Sequence, residues 1–162
     1  SLGISKPTIY HYLGTKEEVL LECVTRGINE LKEAAATAAE APGSGLDRLR
    51  AFLVRYVQIN MDDFGRCVIR TLEEGLTPES AARFRALKRE VDTELREMVR
   101  AAMADGSIAQ GDVKLVSFTV AGALNWPARW YKPGPEAERA VLASNMVDLL
   151  INGIFKGLPA KD

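Results

Sequence analysis

The hydrogen-bonding and cationic side chains near the start of the chain form one dense group. In the stretch SKPTIYHY, residues 5–12, Ile9 shares a helix face with Leu13, and the other faces carry hydroxyls, a lysine and the only histidine of the chain. Ser1 to Lys16 contains two lysines and no acid, whereas the whole chain has a net charge of −1. A short helix of this kind fits the major groove of DNA, which is about 12 Å wide. Composition alone also allows an ordinary, partly buried aromatic cluster.

Helix boundary signals position this segment. Ser5 is an N-cap and Gly14 a left-handed C-cap, which predicts a short helix between them. Thr15 and Glu18 then form a capping box that opens a second helix, predicted to run to about Glu40. The chain begins at Ser1 in the middle of this pattern, so we expect an upstream piece.

The rest of the chain is also predicted to be helical, because apolar residues recur at helical spacing and no stretch alternates apolar and polar residues with period two. The break APGSG at 41–45 separates the second helix from the remainder. Further helices are predicted at about 46–62, 65–74, 77–104, 113–131 and 135–156. The fold class is therefore all-α.

The last two predicted helices carry more apolar surface than one protomer needs. The helix at 113–131 is apolar nearly all round, which requires burial on every side. We expect a four-helix dimer interface from two helices per protomer. Its predicted residues are Phe118, Ala121, Leu142, Met146, Leu149 and Leu150. The alternative is that both are central helices of a monomer.

A proline interrupts the helix at 113–131 and marks a candidate ligand pocket. Pro127 leaves the carbonyl of Ala123 without its helical partner and should kink the helix. Trp126 and Trp130 lie four residues apart around this kink, with Arg129 between them. The other candidate pocket residues are Phe52, Tyr56, Met61, Phe64, Leu72, Phe84, Leu87 and Val91. Plain core packing is the alternative for each of these, and the tryptophans suit a core or a dimer interface equally well.

Several function classes find no support in the chain. No apolar run approaches the roughly 20 residues that a membrane span needs, and no secretory segment opens the chain. Cys23 and Cys67 lack the spacing of a metal site, so we expect reduced thiols in a cytoplasmic protein without metal or cofactor. No nucleophile elbow, P-loop or dinucleotide fingerprint is present, and we predict no catalytic residue and no enzyme.

The stretch LGISKPTIYHYLGTKEEVLLECV resembles the second half of the helix-turn-helix of the TetR family of repressors. The family pattern is Gly-apolar-Ser, Thr-apolar-Tyr, an aromatic pair, a short linker, and Lys-acid-x-apolar-apolar. Here these are Gly3-Ile4-Ser5, Thr8-Ile9-Tyr10, His11-Tyr12-Leu13, Gly14-Thr15 and Lys16-Glu17-Glu18-Val19-Leu20. The resemblance implies that residues 1–40 are the end of a DNA-binding domain plus a connecting helix. It implies that residues 46–156 are a ligand-binding and dimerisation domain. The family's first helix and most of its second are absent.

By resemblance, the short helix is the recognition helix, and Lys16 holds a DNA phosphate. The residues facing the operator would be Lys6, Pro7, Thr8, Tyr10, His11 and Tyr12. Family members bind palindromic double-stranded operators as homodimers, so two recognition helices should lie about one turn of DNA apart.

A second stretch, NWPARWYKPG, resembles regulators of fatty-acid, steroid and acyl-CoA breakdown within the same family. The implied function is a ligand-responsive transcriptional repressor, released from DNA by a small hydrophobic or acyl-CoA-type effector. The phosphates of such an effector could meet Arg66, Arg70, Arg129 or Lys132. The alternatives are a helical ligand-binding and dimerisation module without DNA binding, and a small helical enzyme.

Overall fold

The computed structural model describes residues 15–132 and 134–153, and this part of the chain is helical without strands. The long helices are α1 (Lys16–Ala39), α2 (Gly45–Met61), α4 (Pro78–Ala104), α5 (Val113–Asn125) and α7 (Glu136–Asn152). The short ones are α3 (Asp63–Arg70) and α6 (Pro127–Trp130), and a 3-10 turn covers Glu73–Gly75. The all-α prediction is confirmed.

Side-chain caps explain where most of the helices start. The predicted capping box of Thr15 and Glu18 is present, and Thr77 accepts a hydrogen bond from the backbone of Ser80 at the start of α4. Asp112 caps α5 through the backbone N–H groups of its first turn. Sequence analysis missed the second capping box, formed by Ser44 and Asp47 ahead of α2.

Two predicted helices are divided in the structure. The helix expected at 113–131 ends at Asn125, resumes as α6 and gives way to extended backbone at Tyr131. Pro127 has no N–H to continue the ladder, so the break lies where the proline was expected to kink the helix. The helix expected at 65–74 is α3 followed by the separate 3-10 turn.

The last helix is shorter than predicted. α7 ends at Asn152, and Gly153 follows with φ +74°, a conformation that favours glycine. The final predicted positions, 154–156, lie outside the described residues.

Helix α2 lies at the centre and packs against every other helix of the described part. Its Phe52 and Val57 are fully buried in one core with Val24 of α1 and Val99 of α4. Beside this core, Gly27 lets α1 approach α3 closely, because a Cβ there would lie 2.9 Å from the carbonyl oxygen of Phe64.

Helix α7 is held onto α2 by an ion pair. Arg50 donates to both carboxylate oxygens of Asp148 at 2.8 and 2.9 Å and to the hydroxyl of Ser144 at 2.9 Å.

None of the helices in the described residues is long and apolar enough to cross a membrane.

Candidate functional site

A cavity of about 480 Å³ lies among helices α1 to α5, and we call it the chamber. Its volume falls within the range of pockets that bind small molecules. Helices α1, α3 and α5 supply mainly apolar side chains, whereas α4 supplies both apolar and charged ones. The lining residues are Ile28, Leu31, Tyr56, Val68, Ile69, Arg85, Lys88, Arg89, Val91, Asp92, Leu95, Phe118, Ala121, Gly122 and Asn125.

A smaller cavity of about 280 Å³ adjoins the chamber, and we call it the vestibule. Five residues line both cavities: Val68, Ile69, Lys88, Gly122 and Asn125. Thr71, Trp126 and Arg129 complete the vestibule wall. The vestibule thus brings the cations Lys88 and Arg129 beside the broken end of α5.

The cationic face of α4 is partly balanced by an acid. Glu73 accepts a hydrogen bond from Arg85 at 3.1 Å, and Lys88 Nζ lies 3.6 Å from the same carboxylate. The Arg85 guanidinium lowers the pKa of Glu73 below its ordinary 4.5, so this acid stays ionised at neutral pH. Lys88 also lies over the ring of Phe84, 4.8 Å from its centroid. Glu73 thus faces two cations, and because Arg89, Asp92 and Arg129 also line the cavities, the charge beside them stays net positive.

Three polar side chains meet where the chamber joins the vestibule. The hydroxyl of Tyr56 donates to Oδ1 of Asn125 at 2.7 Å, and Nδ2 of Asn60 donates to the same oxygen at 3.0 Å. Burial raises the pKa of Tyr56 above 10, so its hydroxyl remains a donor. Asn60 is fully buried and also lies 3.5 Å from the carbonyl oxygen of Leu124.

The predicted pocket residues are distributed over several environments. Tyr56 and Val91 line the chamber, and Trp126 and Arg129 line the vestibule. The other large side chains near the core do not line either cavity: Phe52, Met61 and Phe84 are buried in the core, and Leu87 packs against its edge.

The remaining pocket candidates, half-buried Phe64 and exposed Leu72 and Trp130, line neither cavity. Phe64 lies beneath the guanidinium of Arg26, 5.7 Å away. Leu72 is 66% exposed and faces a separate groove beside Lys16, while Trp130 is 47% exposed and lines neither cavity.

Sequence reasoning missed Asn60 and Asn125 as part of the site. Both are amides on otherwise apolar faces, and Asn125 directly precedes the Trp126-Pro127 break. A polar residue on a buried stripe needs a partner, and that was the available signal.

The predicted DNA-contacting residues from Lys6 to Tyr12 lie outside the described residues. Lys16 is described and is exposed at the first position of α1. Beside it, Glu17 accepts hydrogen bonds from the backbone N–H of Thr77 at 2.6 Å and from the Thr77 hydroxyl at 3.1 Å. The first turn of α1 is therefore joined to the N-cap of α4, the helix that carries the cations of the chamber.

The predicted interface residues differ in their exposure, and Phe118, Leu149 and Leu150 are the exposed ones among them. Phe118 and Ala121 line the chamber, and Leu142 and Met146 are half-buried against the core. Leu149 and Leu150 are exposed on α7. Three further large apolar side chains are more than half exposed: Leu115 of α5, Trp126 directly after α5, and Val141 of α7.

A helical domain with a partly open, ligand-sized chamber belongs to a class found in ligand-responsive transcriptional regulators. Residues 42–154 match the family model "Tetracyclin repressor-like, C-terminal domain". The chain belongs to the TetR family of transcriptional regulators, as the opening motif predicted, and members of this family are regulators rather than enzymes.

Solved structures of the same family share this fold. The chain is similar to PfmR from Thermus thermophilus, with 28% identity, a TM-score of 0.79, and coverage of 94% of this chain and 84% of that one. It is similar to SCO3833 from Streptomyces coelicolor, with 27% identity, a TM-score of 0.75, and coverage of 98% and 78%. AibR, solved in complex with isovaleryl coenzyme A and operator DNA, has 25% identity, a TM-score of 0.68, and coverage of 90% and 80%. A search of curated proteins found no match.

Proposed function

We propose that this chain is a cytoplasmic, homodimeric repressor that leaves its palindromic operator when an acyl-CoA-type or other small hydrophobic effector fills the chamber. Residues 1–40 would hold the DNA-binding part and the connecting helix, and residues 46–156 the ligand-binding and dimerisation domain. The observation that carries the proposal is an apolar chamber that opens beside cations.

The shape and charge of the two cavities favour an acyl-CoA-type effector. An acyl chain suits the apolar walls from α1, α3 and α5, and an anionic head group suits the vestibule. Lys88 and Arg129 are the cations placed there, and guanidinium and ammonium groups bind phosphates through charge-assisted hydrogen bonds. AibR, a relative of similar fold, was solved with an acyl-CoA of this chemistry and with DNA.

The proposed switch runs through α1, because this helix joins the chamber to the predicted DNA-binding end. Ile28 and Leu31 of α1 line the chamber, and Lys16 at its start is the predicted phosphate contact. Glu17 joins the same end of α1 to Thr77 of the α4 cap. An effector that fits one placement of α1 against α4 better than another shifts the population toward it, and DNA selects the other.

The proposed dimer rests on the apolar surface of α5 and α7. Leu115 is 65% exposed, Val141 60% and Leu149 41%, which is an uncommon concentration of large apolar side chains on a free surface. A second copy of the same surface would cover them by twofold symmetry.

The proposal is tested by calorimetry with a series of acyl-CoA thioesters of increasing chain length. Arg129→Gln should weaken binding by about tenfold or more, since a hydrogen bond to a charged group is lost. Arg83→Gln is the matched control, because Arg83 is also exposed but lines neither cavity.

Two results would change the proposal. Equal binding by the Arg129→Gln and Arg83→Gln variants would remove the vestibule from the head-group site. A protein that binds thioesters but shows no salt-dependent DNA binding would be a ligand-binding module instead of a repressor, since phosphate contacts impose a steep salt slope.

A further inference from the structure

The contacts around Asn125 set the orientation of its side-chain amide, and in this orientation Oδ1 of Asn60 stays buried without a partner among the described residues. The carbonyl oxygen of Leu124 can only accept a hydrogen bond, so the Asn60 atom 3.5 Å from it is the donor Nδ2. The same Nδ2 lies 3.0 Å from the side chain of Asn125 and needs an acceptor there, which is Oδ1. Tyr56 donates to that oxygen as well.

In this orientation, Nδ2 of Asn125 has no hydrogen-bond acceptor among the described residues. An amide oxygen has two lone pairs, and the hydrogen bonds from Tyr56 and Asn60 occupy both. Within residues 15–132 and 134–153, no group accepts a hydrogen bond from Nδ2 of Asn125. The residue lines both the chamber and the vestibule, so a fixed pair of N–H donors lies at their junction.

We propose that Asn125 is a specificity-determining residue that donates a hydrogen bond to the carbonyl oxygen of an acyl thioester. This proposal deepens the proposed function and rests on it. The acyl chain lies in the chamber and the pantetheine arm leaves it through the vestibule, with the phosphates beyond this arm toward the exposed Arg129, so the thioester carbonyl falls at the junction between the two cavities. Tyr56 and Asn60 are positioning residues, because they hold Oδ1 and thereby aim Nδ2.

The chemistry of the junction distinguishes ligands that are nearly identical elsewhere. An S-alkyl-CoA thioether has the same chain and head group as the acyl-CoA but offers no carbonyl oxygen, so Nδ2 loses its hydrogen bond. A free fatty acid offers a carbonyl oxygen but has no head group to reach the vestibule. The site should therefore bind the thioester more tightly than either the thioether or the free fatty acid.

The experiment measures the affinity of the protein for a matched acyl-CoA and S-alkyl-CoA pair by calorimetry. We expect the protein to prefer the thioester by about five- to tenfold, the effect of one net hydrogen bond. Asn125→Asp keeps an oxygen for Tyr56 and Asn60 but replaces the N–H donors, and this variant should lose the preference. Asn29→Asp, on the exposed face of α1, is the matched control and should retain it.

Each possible result of this experiment overturns a different proposal. Equal affinity of the unaltered protein for thioester and thioether would overturn the inference while the proposed effector class stands. Failure of both to bind would instead refute the acyl-CoA-type effector on which this inference rests. A preference that survives in Asn125→Asp would overturn the assignment to Asn125.

Two further measurements test the positioning role of Tyr56 and the placement of the head group. If Asn125→Asp does not fold, as judged by its thermal transition, Tyr56→Phe replaces it, because this variant loses only the hydroxyl that holds Oδ1. It should then reduce the preference, and an unchanged preference would contradict the positioning role. The free fatty acid should bind more weakly than the thioester, and equal affinity would contradict a head group in the vestibule.

Discussion

The hydrogen bonds between Glu17 and Thr77 offer a sharp test of how the chamber communicates with α1. Thr77 makes three hydrogen bonds through its N–H and its hydroxyl: the N–H donates to Glu17 at 2.6 Å, and the hydroxyl donates to Glu17 at 3.1 Å and accepts from the Ser80 N–H at 3.3 Å. Thr77→Ala removes the two that use the hydroxyl. We expect both a weaker α4 cap and a weaker connection between the two helices.

The stability part follows from the cap alone. Loss of a threonine N-cap costs about 1 kcal/mol of unfolding free energy. For a domain of this size, that lowers the midpoint of thermal unfolding by about 2–4 °C. Thr77→Ser keeps the hydroxyl and should unfold within about 1 °C of the unaltered protein.

The coupling part is isolated by Glu17→Ala, which breaks the connection and leaves the Thr77 cap in place. The ratio of operator affinities without and with effector measures the coupling, and values of about 5- to 150-fold are ordinary for allosteric proteins. We expect Glu17→Ala to reduce this ratio severalfold while calorimetry shows unchanged effector affinity in the absence of DNA. If Glu17→Ala kept the same ratio of operator affinities as the unaltered protein, the contact between Glu17 and Thr77 would not carry the coupling. Equal melting temperatures of Thr77→Ala and Thr77→Ser would refute the capping role of the Thr77 hydroxyl.

The same contact has a definite pH dependence. The backbone N–H of Thr77 lowers the pKa of Glu17 below its ordinary 4.5. A carboxyl with a lowered pKa in the folded state contributes its stability above the unfolded-state pKa and loses it as pH falls through the folded-state value. Glu17→Gln should therefore reduce the stability lost on acidification below pH 4.5, as followed by thermal melts.

Three further predictions concern packing, assembly and DNA. Gly27→Ala places a Cβ 2.9 Å from the Phe64 carbonyl oxygen, and its overpacking cost of about 1–3 kcal/mol outweighs a helix-propensity gain of about 1 kcal/mol, so chemical denaturation should show lower stability. Leu149→Glu should shift the protein toward monomers in analytical ultracentrifugation, whereas Ala82→Glu on the exposed face of α4 should not, and a Leu149→Glu dimer would contradict the proposed interface. Lys16→Ala should weaken DNA binding and lower its salt slope by about one ion, with effector affinity unchanged, and an unaltered slope would remove Lys16 from the phosphate contacts.

Local signals in the sequence predicted the helices well, because a cap or a proline acts within a few residues. Thr15 and Glu18 predicted the start of α1, and Thr77 with Pro78 predicted the start of α4. Pro127 predicted where the 113–131 helix is interrupted. The sequence could not show that the chain resumes as a separate short helix, because packing around Ala128 and Pro127 decides that.

The lining of the chamber was harder to predict, because periodicity identifies a buried face without saying what it faces. Phe52 and Phe84 have the same pattern as Tyr56 and Val91, yet the first pair fills the core and the second borders the chamber. A cavity is a space that side chains leave unfilled, and its position depends on residues far apart in the chain. The contact of Asn60 with Asn125 spans 65 positions, so no local pattern could reveal it.

Release of DNA by the effector is the decisive test of the proposed repressor function. The protein is first bound to a fluorescent duplex recovered by selection from random-sequence DNA, and an acyl-CoA thioester is then titrated while anisotropy is recorded. We expect the anisotropy to fall to that of free duplex as the chamber fills, at concentrations that match the calorimetric affinity. Undiminished anisotropy at saturating thioester, with binding to the chamber confirmed by calorimetry, would contradict it.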